Sequence, residues 1–112
     1  MRNEQRGWID RCVVDGQATL EALRRQGSQI SAAIDLLIAT LQAGGKVLAA
    51  GNGGSAAEAM HLAEELIGRF RGNRRAFPAV ALTADGTALT CIGNDFGFDS
   101  VFSRQIEGLG CP

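Results

Sequence analysis

Apolar residues recur every three or four positions over the first forty of this chain, and then the rhythm changes. From Asn3 to about Arg25, Trp8, Cys12, Thr19, Leu20 and Leu23 fall at near-helical spacings, which predicts a helix. Gly16 sits inside it, at a cost of about 1 kcal/mol relative to alanine. Gly27-Ser28 is expected to break that helix, with Ser28 as N-cap of the next. Ile30, Ile34, Leu37, Ile38 and Leu41 then trace an amphipathic helix, and Gly44-Gly45 closes it as C-cap glycines do. The two helices are expected to form an antiparallel pair.

Beyond Gly45 the periodicity gives way to short apolar runs. Lys46-Val47-Leu48-Ala49-Ala50 lacks alternation, the pattern of a strand buried on both faces. A glycine-rich loop, Gly51-Asn52-Gly53-Gly54-Ser55-Ala56, leads into a helix whose Ala56, Met60, Ala63, Ile67 and Phe70 predict the buried stripe. Residues 71–77 read as a polar loop and Pro78-Ala79-Val80-Ala81-Leu82-Thr83 as a second buried strand. Strand, helix and strand in succession make a βαβ unit, with a parallel sheet and a right-handed crossover. Asp85-Gly86 starts a turn, residues 87–92 are expected to be helical, and residues 93–97 a loop. Asp99 or Ser100 is expected to cap a last helix running to about Leu109. The fold class expected is α/β, in one partial domain over 1–112. A helical pair over 1–43 precedes the first βαβ part of a flavodoxin-like parallel sheet over 44–112. The sheet is incomplete on this reading, since sheets commonly hold about four to six strands.

Composition narrows the possible functions. The 112 residues carry a net charge of −1, which gives no reason to expect nucleic acid as a partner. Fifteen glycines, about twice the average usage of roughly 7%, point to several tight turns. Cys12, Cys91 and Cys111 are odd in number and widely spaced, which argues against a disulfide scaffold and against a thiolate zinc site. The opening MRNEQRGWID lacks the apolar core of a signal peptide. The most apolar segment, 30–41, is interrupted by Ser31, Asp35 and Thr40 and is too short to span a bilayer. No membrane association is expected, and the expected compartment is a reducing cytoplasm.

In an open α/β sheet, ligands bind beyond the carboxyl ends of the strands, where residues 51–56 fall. The glycines permit close backbone approach, the helix N-terminus offers free N–H groups, and Asn52 and Ser55 add polar side chains. A phosphate, hydroxyl or sugar oxygen could be held there; the plainer reading is a tight turn with Ser55 as N-cap. Gly51, Gly53 and Ala56 also fit the dinucleotide fingerprint G-x-G-x-x-A, although Asp85, the acid near the second strand's end, comes late for it. On the helix, His61 and Glu65 are four apart and share a face turned away from the apolar stripe. That spacing lets an imidazole and a carboxylate reach one metal ion, or simply make an exposed contact. Glu58 and Glu64 are read as solvated. Arg69, Arg71, Arg74 and Arg75 read as a solvated turn favoured by the helix dipole. The run 93–99 does not match calcium-loop spacing.

Taken together, AGGKVLAAGNGGSA at 43–56, AMHLAEELIGRF at 59–70 and CIGNDFGFDSVFSRQIE at 91–107 resemble the sugar isomerase (SIS) domain family, and within it the phosphoheptose isomerases. The resemblance implies conversion of sedoheptulose 7-phosphate to D-glycero-D-manno-heptose 7-phosphate, a step toward bacterial heptose for lipopolysaccharide. It implies Glu65 as the base and, with His61, a ligand of one zinc ion. By the same likeness Asn52, Gly53, Gly54 and Ser55 line the sugar, with Asn94 and Asp95 completing that wall. It also implies a homotetramer whose N-terminal helices contribute to assembly. In that family a third strand, a serine/threonine-rich phosphate loop and a late helix bearing Gln and His ligands follow. Residues 1–112 include none of these, so a truncated isomerase with little zinc uptake or activity is expected. A SIS regulator that binds the DnaA initiator is the alternative from another functional class, and a nicotinamide dehydrogenase is the third.

Overall fold

The computed structural model of the protein describes residues 2–111, so the outermost bounds of the expected domain, 1 and 112, lie outside it. The elements run α1 (Arg2–Arg24), α2 (Gly27–Gln42), β1 (Val47–Ala49), α3 (Gly54–Ile67), β2 (Ala79–Ala81) and α4 (Gly86–Phe96). A 3-10 turn at Phe98–Ser100 and α5 (Ser103–Leu109) complete them. The chain divides into two units, Met1–Leu36 and Leu37–Pro112.

The first unit holds α1 and the opening turns of α2. Both helices form as the periodicity predicts, but the α1 stripe is uncovered and that of α2 is covered only at its end, at Leu41. Trp8 and Leu20 are exposed, and α2 has no buried residue. The antiparallel pair expected of these two helices is not seen: among the described residues α1 and α2 do not pack face to face. The break falls at residues 25–26, and Ser28 lies inside the first turn of α2 with its hydroxyl donating to Gln29 Oε1 at 3.3 Å. It is not the N-cap. Near the end of α1, Arg24 donates twice to the Glu21 carboxylate, at 2.9 and 2.8 Å, and holds that carboxyl below its ordinary range.

In the second unit, Gly44 and Gly45 end α2 in a Schellman motif. The Gly45 N–H donates to Thr40 O (2.9 Å) and the Gly44 N–H to Leu41 O (3.2 Å). The chain then enters β1, which pairs with β2 in parallel through Val47↔Ala79, Leu48↔Val80 and Ala49↔Ala81. Bonds from Val47 N–H to Pro78 O (2.9 Å) and from Leu82 N–H to Ala49 O (2.8 Å) extend the ladder at both ends. α3 forms the crossover, as the βαβ reading requires.

The core is built from small side chains: Val47, Ala63, Ala79 and Ala81, with Leu41 and Leu66 packed against them. This corrects the expected stripe of α3. Its buried residues are Ala59 and Ala63, whereas Met60, Ile67 and Phe70 stand exposed. Alanines on the strands let the helix lie close, and only small residues fit on the facing side. β2 is likewise not buried on both faces, because Val80 is 40% exposed.

The segment after β2 also departs from expectation. Asp85 caps α4, its Oδ1 accepting from the N–H groups of Thr87 (2.9 Å) and Ala88 (3.1 Å). The helix runs on to Phe96, so residues 93–96 are helical rather than looped, and Gly97 ends it at φ 88°. Asp99 and Ser100 lie in the 3-10 turn and cap nothing; α5 begins at Ser103. The Gln105 amide donates to Leu82 O (2.9 Å) and Val101 O (2.7 Å), tying α5 to the end of β2. No helix among the described residues is long and apolar enough to cross a membrane.

Candidate functional site

The loop at 51–56 leaves the carboxyl end of β1 and turns at once into α3. Gly51 makes the turn possible: a Cβ there would lie 2.5 Å from the Ser55 carbonyl oxygen. Gly53 occupies the N-cap position at φ 57°, in the left-handed region open to glycine, and no side chain caps the helix. Ser55 is the second helical residue and not the N-cap. Its N–H donates to Asn52 O at 3.1 Å.

A cavity of about 550 Å³ opens against this loop. Gly51, Asn52, Gly53 and Ala56 form one wall. Thr83, Thr90, Gly93, Phe98 and Phe102 line it as well, and the Thr83 hydroxyl donates to Ala56 O at 3.4 Å. Of the residues expected at the sugar, Asn52 and Gly53 line the cavity; Gly54, Ser55, Asn94 and Asp95 are exposed and do not. The Asn94 amide donates instead to Asp95 Oδ1 at 2.8 Å, and Cys91 Sγ lies 3.7 Å from Asp95 Oδ2.

His61 and Glu65 lie one turn apart on α3, with Nε2 and Oε1 separated by 3.4 Å. They do not line the cavity. Glu65 is the more sheltered of the two, at 30% side-chain exposure against 64% for His61. Glu64, read from the sequence as solvated, is exposed but belongs to the same cluster: one donor atom from each of His61, Glu64 and Glu65 falls within 4.8 Å of the others. The backbone beneath is pinned by Arg74, which donates to Glu65 O (2.6 Å) and Leu66 O (2.9 Å) and stacks over Phe77 at 4.4 Å. Arg74 is thus the C-terminal clamp of α3 rather than a solvated cation.

Sequence reasoning missed Thr83, Thr90, Phe98 and Phe102. Thr83 follows β2 directly, so the strand-end rule could have found it. The other three are brought in by tertiary packing and carry no local signal. Glu64 was within reach, since i and i+3 are also neighbours on a helix. The dinucleotide reading loses its acid: the Asp85 carboxylate is engaged in capping α4.

Known proteins resemble this chain in sequence and in fold. The family profile described as SIS domain matches residues 14–109. A phosphoheptose isomerase of Syntrophotalea carbinolica is 55% identical over 89 residues, covering 80% of this chain and 45% of that protein. One from Bradyrhizobium sp. (strain ORS 278) is 51% identical over 105 residues, covering 94% of this chain and 49% of the relative. Among solved structures, phosphoheptose isomerase GmhA from Neisseria gonorrhoeae superposes with a TM-score of 0.75 at 47% identity, covering 84% of this chain and 48% of that one. The chain spans about half the length of the curated relatives it matches. With the profile running over residues 14–109, the chain belongs to the SIS domain family.

Proposed function

We propose that this chain carries part of the active site of an aldose–ketose isomerase acting on sedoheptulose 7-phosphate. The observation that carries the reading is the His61–Glu65 pair, 3.4 Å apart on the helix that rises from the glycine loop. The relatives that share half their length with it bear the name phosphoheptose isomerase. The reaction moves a proton between C1 and C2 of the sugar, so it needs a base and groups that hold the reacting oxygens. Glu65 takes and returns that proton. Asn52 and the backbone at Gly53, which line the cavity, hold sugar oxygens at the N-terminus of α3, and the family likeness adds Gly54, Ser55, Asn94 and Asp95 from outside that lining.

The same pair suits a zinc ion. Nitrogen and carboxylate donors at about 2.0–2.2 Å from zinc stand roughly 3.3–3.6 Å apart in a tetrahedral site, and the observed separation falls in that range. When bound, zinc supplies Lewis acidity toward the sugar oxygens. A homotetramer is consistent with the exposed apolar faces of the N-terminal helices, such as Ile34 and Leu37 on α2. A cytoplasmic setting and heptose supply for lipopolysaccharide belong to the same proposal. The Syntrophotalea and Bradyrhizobium relatives are isomerases by name, and neither supports the DnaA-binding alternative.

The test replaces the matching segment of the Bradyrhizobium relative with residues 14–109 of this chain and follows conversion of sedoheptulose 7-phosphate by NMR. Turnover is expected, reduced by about 100-fold or more in Glu65→Gln, as for loss of a general base. Turnover that survives Glu65→Gln would remove the role assigned to that residue.

A further inference from the structure

We propose that Glu64 is a third metal donor, so that α3 alone presents a three-ligand site for a divalent transition metal such as zinc. The inference rests on the zinc reading of His61 and Glu65 and extends it. Donor atoms of His61, Glu64 and Glu65 lie within 4.8 Å of one another, at positions i, i+3 and i+4 of one helix.

Three arguments favour a ligand over a bystander. In geometry, His61 Nε2 and Glu65 Oε1 already stand at the spacing of two zinc donors. The Glu64 carboxylate lies within 4.8 Å of both, at most about 1.2–1.5 Å beyond that spacing, a gap that rotation of an exposed side chain closes. In charge, a neutral imidazole and two carboxylates match a divalent cation, leaving no net charge at the surface. In rigidity, Arg74 clamps the carbonyls of Glu65 and Leu66, so the turn that carries the two carboxylates is held before any ion arrives. Three protein donors with the remaining positions open is also the ligand count of catalytic zinc sites. With two donors little uptake by this chain is expected; with three it takes up one ion.

The experiment is zinc titration of the 112-residue chain against a chromophoric chelator, with cobalt(II) visible absorption as a second readout of donor number. The variants are His61→Ala, Glu64→Gln and Glu58→Gln, the last removing a nearby charge on the same helix outside the cluster. Circular dichroism confirms that each is folded. One zinc per chain is expected, with Glu64→Gln weakening it by about tenfold or more, since even partners of metal ligands are worth about 10–100-fold. Glu58→Gln is expected to change affinity less than about threefold, roughly the size of a screened surface charge effect. The cobalt band should shift in Glu64→Gln and not in Glu58→Gln. If Glu64→Gln behaves like Glu58→Gln while His61→Ala abolishes binding, Glu64 is no ligand and the His61–Glu65 reading stands. If the unaltered chain binds neither ion, the three-donor site falls, while the two-donor reading of His61 and Glu65, which expects little uptake by this chain, stands.

Discussion

Alanine substitutions at three neighbouring glycines should have three different outcomes, because each glycine meets a different constraint. At Gly51 a Cβ would sit 2.5 Å from the Ser55 carbonyl oxygen, 2.6 Å from its carbonyl carbon and 2.7 Å from its Cβ. Relief requires about 1 Å of retreat, and what must retreat is the backbone of the first turn of α3. Overpacking of this kind costs about 1–3 kcal/mol, and a main-chain obstacle puts Gly51→Ala at the upper end. At Gly53 nothing lies within 4 Å, but φ is 57°, so Gly53→Ala costs about 1–2 kcal/mol through backbone strain alone. Gly54 has neither obstacle and opens the helix, so Gly54→Ala should be neutral or stabilise by about 0.4–1 kcal/mol. Thermal unfolding followed at 222 nm reads the difference. One kcal/mol moves the midpoint by roughly 4–8 °C in a domain slightly smaller than this one. Gly51→Ala should therefore melt well below the unaltered chain and Gly54→Ala at or above it. Equal midpoints for the two would refute the claim that the loop is folded under the helix.

Leu82 is 1% exposed, so Leu82→Ala should cost about 2–5 kcal/mol in urea unfolding. A loss under about 1 kcal/mol would mean that β2 is not packed as described. Asp85→Ala should cost about 1 kcal/mol by removing the cap of α4, with Asp85→Asn close to the unaltered chain; equal losses in the two would point to a role other than capping. The Glu21 carboxyl is held low by Arg24, so its contribution to α1 is present above the ordinary carboxylate range and is lost as pH falls through the lowered folded value. Ellipticity at 222 nm should show that loss at low ionic strength, less of it at high salt, and none of it in Glu21→Gln.

Helix existence was legible in the sequence and packing partners were less so. The stripe expected on α3 followed large side chains, at Met60, Ile67 and Phe70, and these are exposed. The buried positions, Ala59 and Ala63, obey the same three-and-four spacing but carry little hydrophobicity. Periodicity ranks faces by size, and a helix lying close to an alanine-lined sheet inverts that ranking. The segment 93–96 failed for another reason. Asn94 and Asp95 favour loops on their own, but the buried Ile92 and the packing of Val101 near Gly93 hold the helix until Gly97. Tertiary contact overrode propensity there.

The two parts of the candidate site differ in the same way. His61, Glu64 and Glu65 meet because a helix brings positions i, i+3 and i+4 together, whatever surrounds it. That part could be read from spacing, and its geometry lies within α3, whose turn at Glu65 and Leu66 the Arg74 clamp holds. The cavity needs the loop at 51–53, the end of β2 at Thr83, α4 at Thr90 and Gly93, and the aromatic turn at Phe98 and Phe102 to converge. It depends on the βαβ unit and on the Gln105 bonds that tie α5 to β2. Partial unfolding should therefore separate the two. Leu82→Ala in mild urea should empty the cavity of a small apolar dye before zinc affinity falls, because Leu82 is buried next to Thr83 of the cavity lining, whereas His61, Glu64 and Glu65 meet within a single helix. Simultaneous loss of both would mean that the ligand turn depends on the sheet as much as the cavity does.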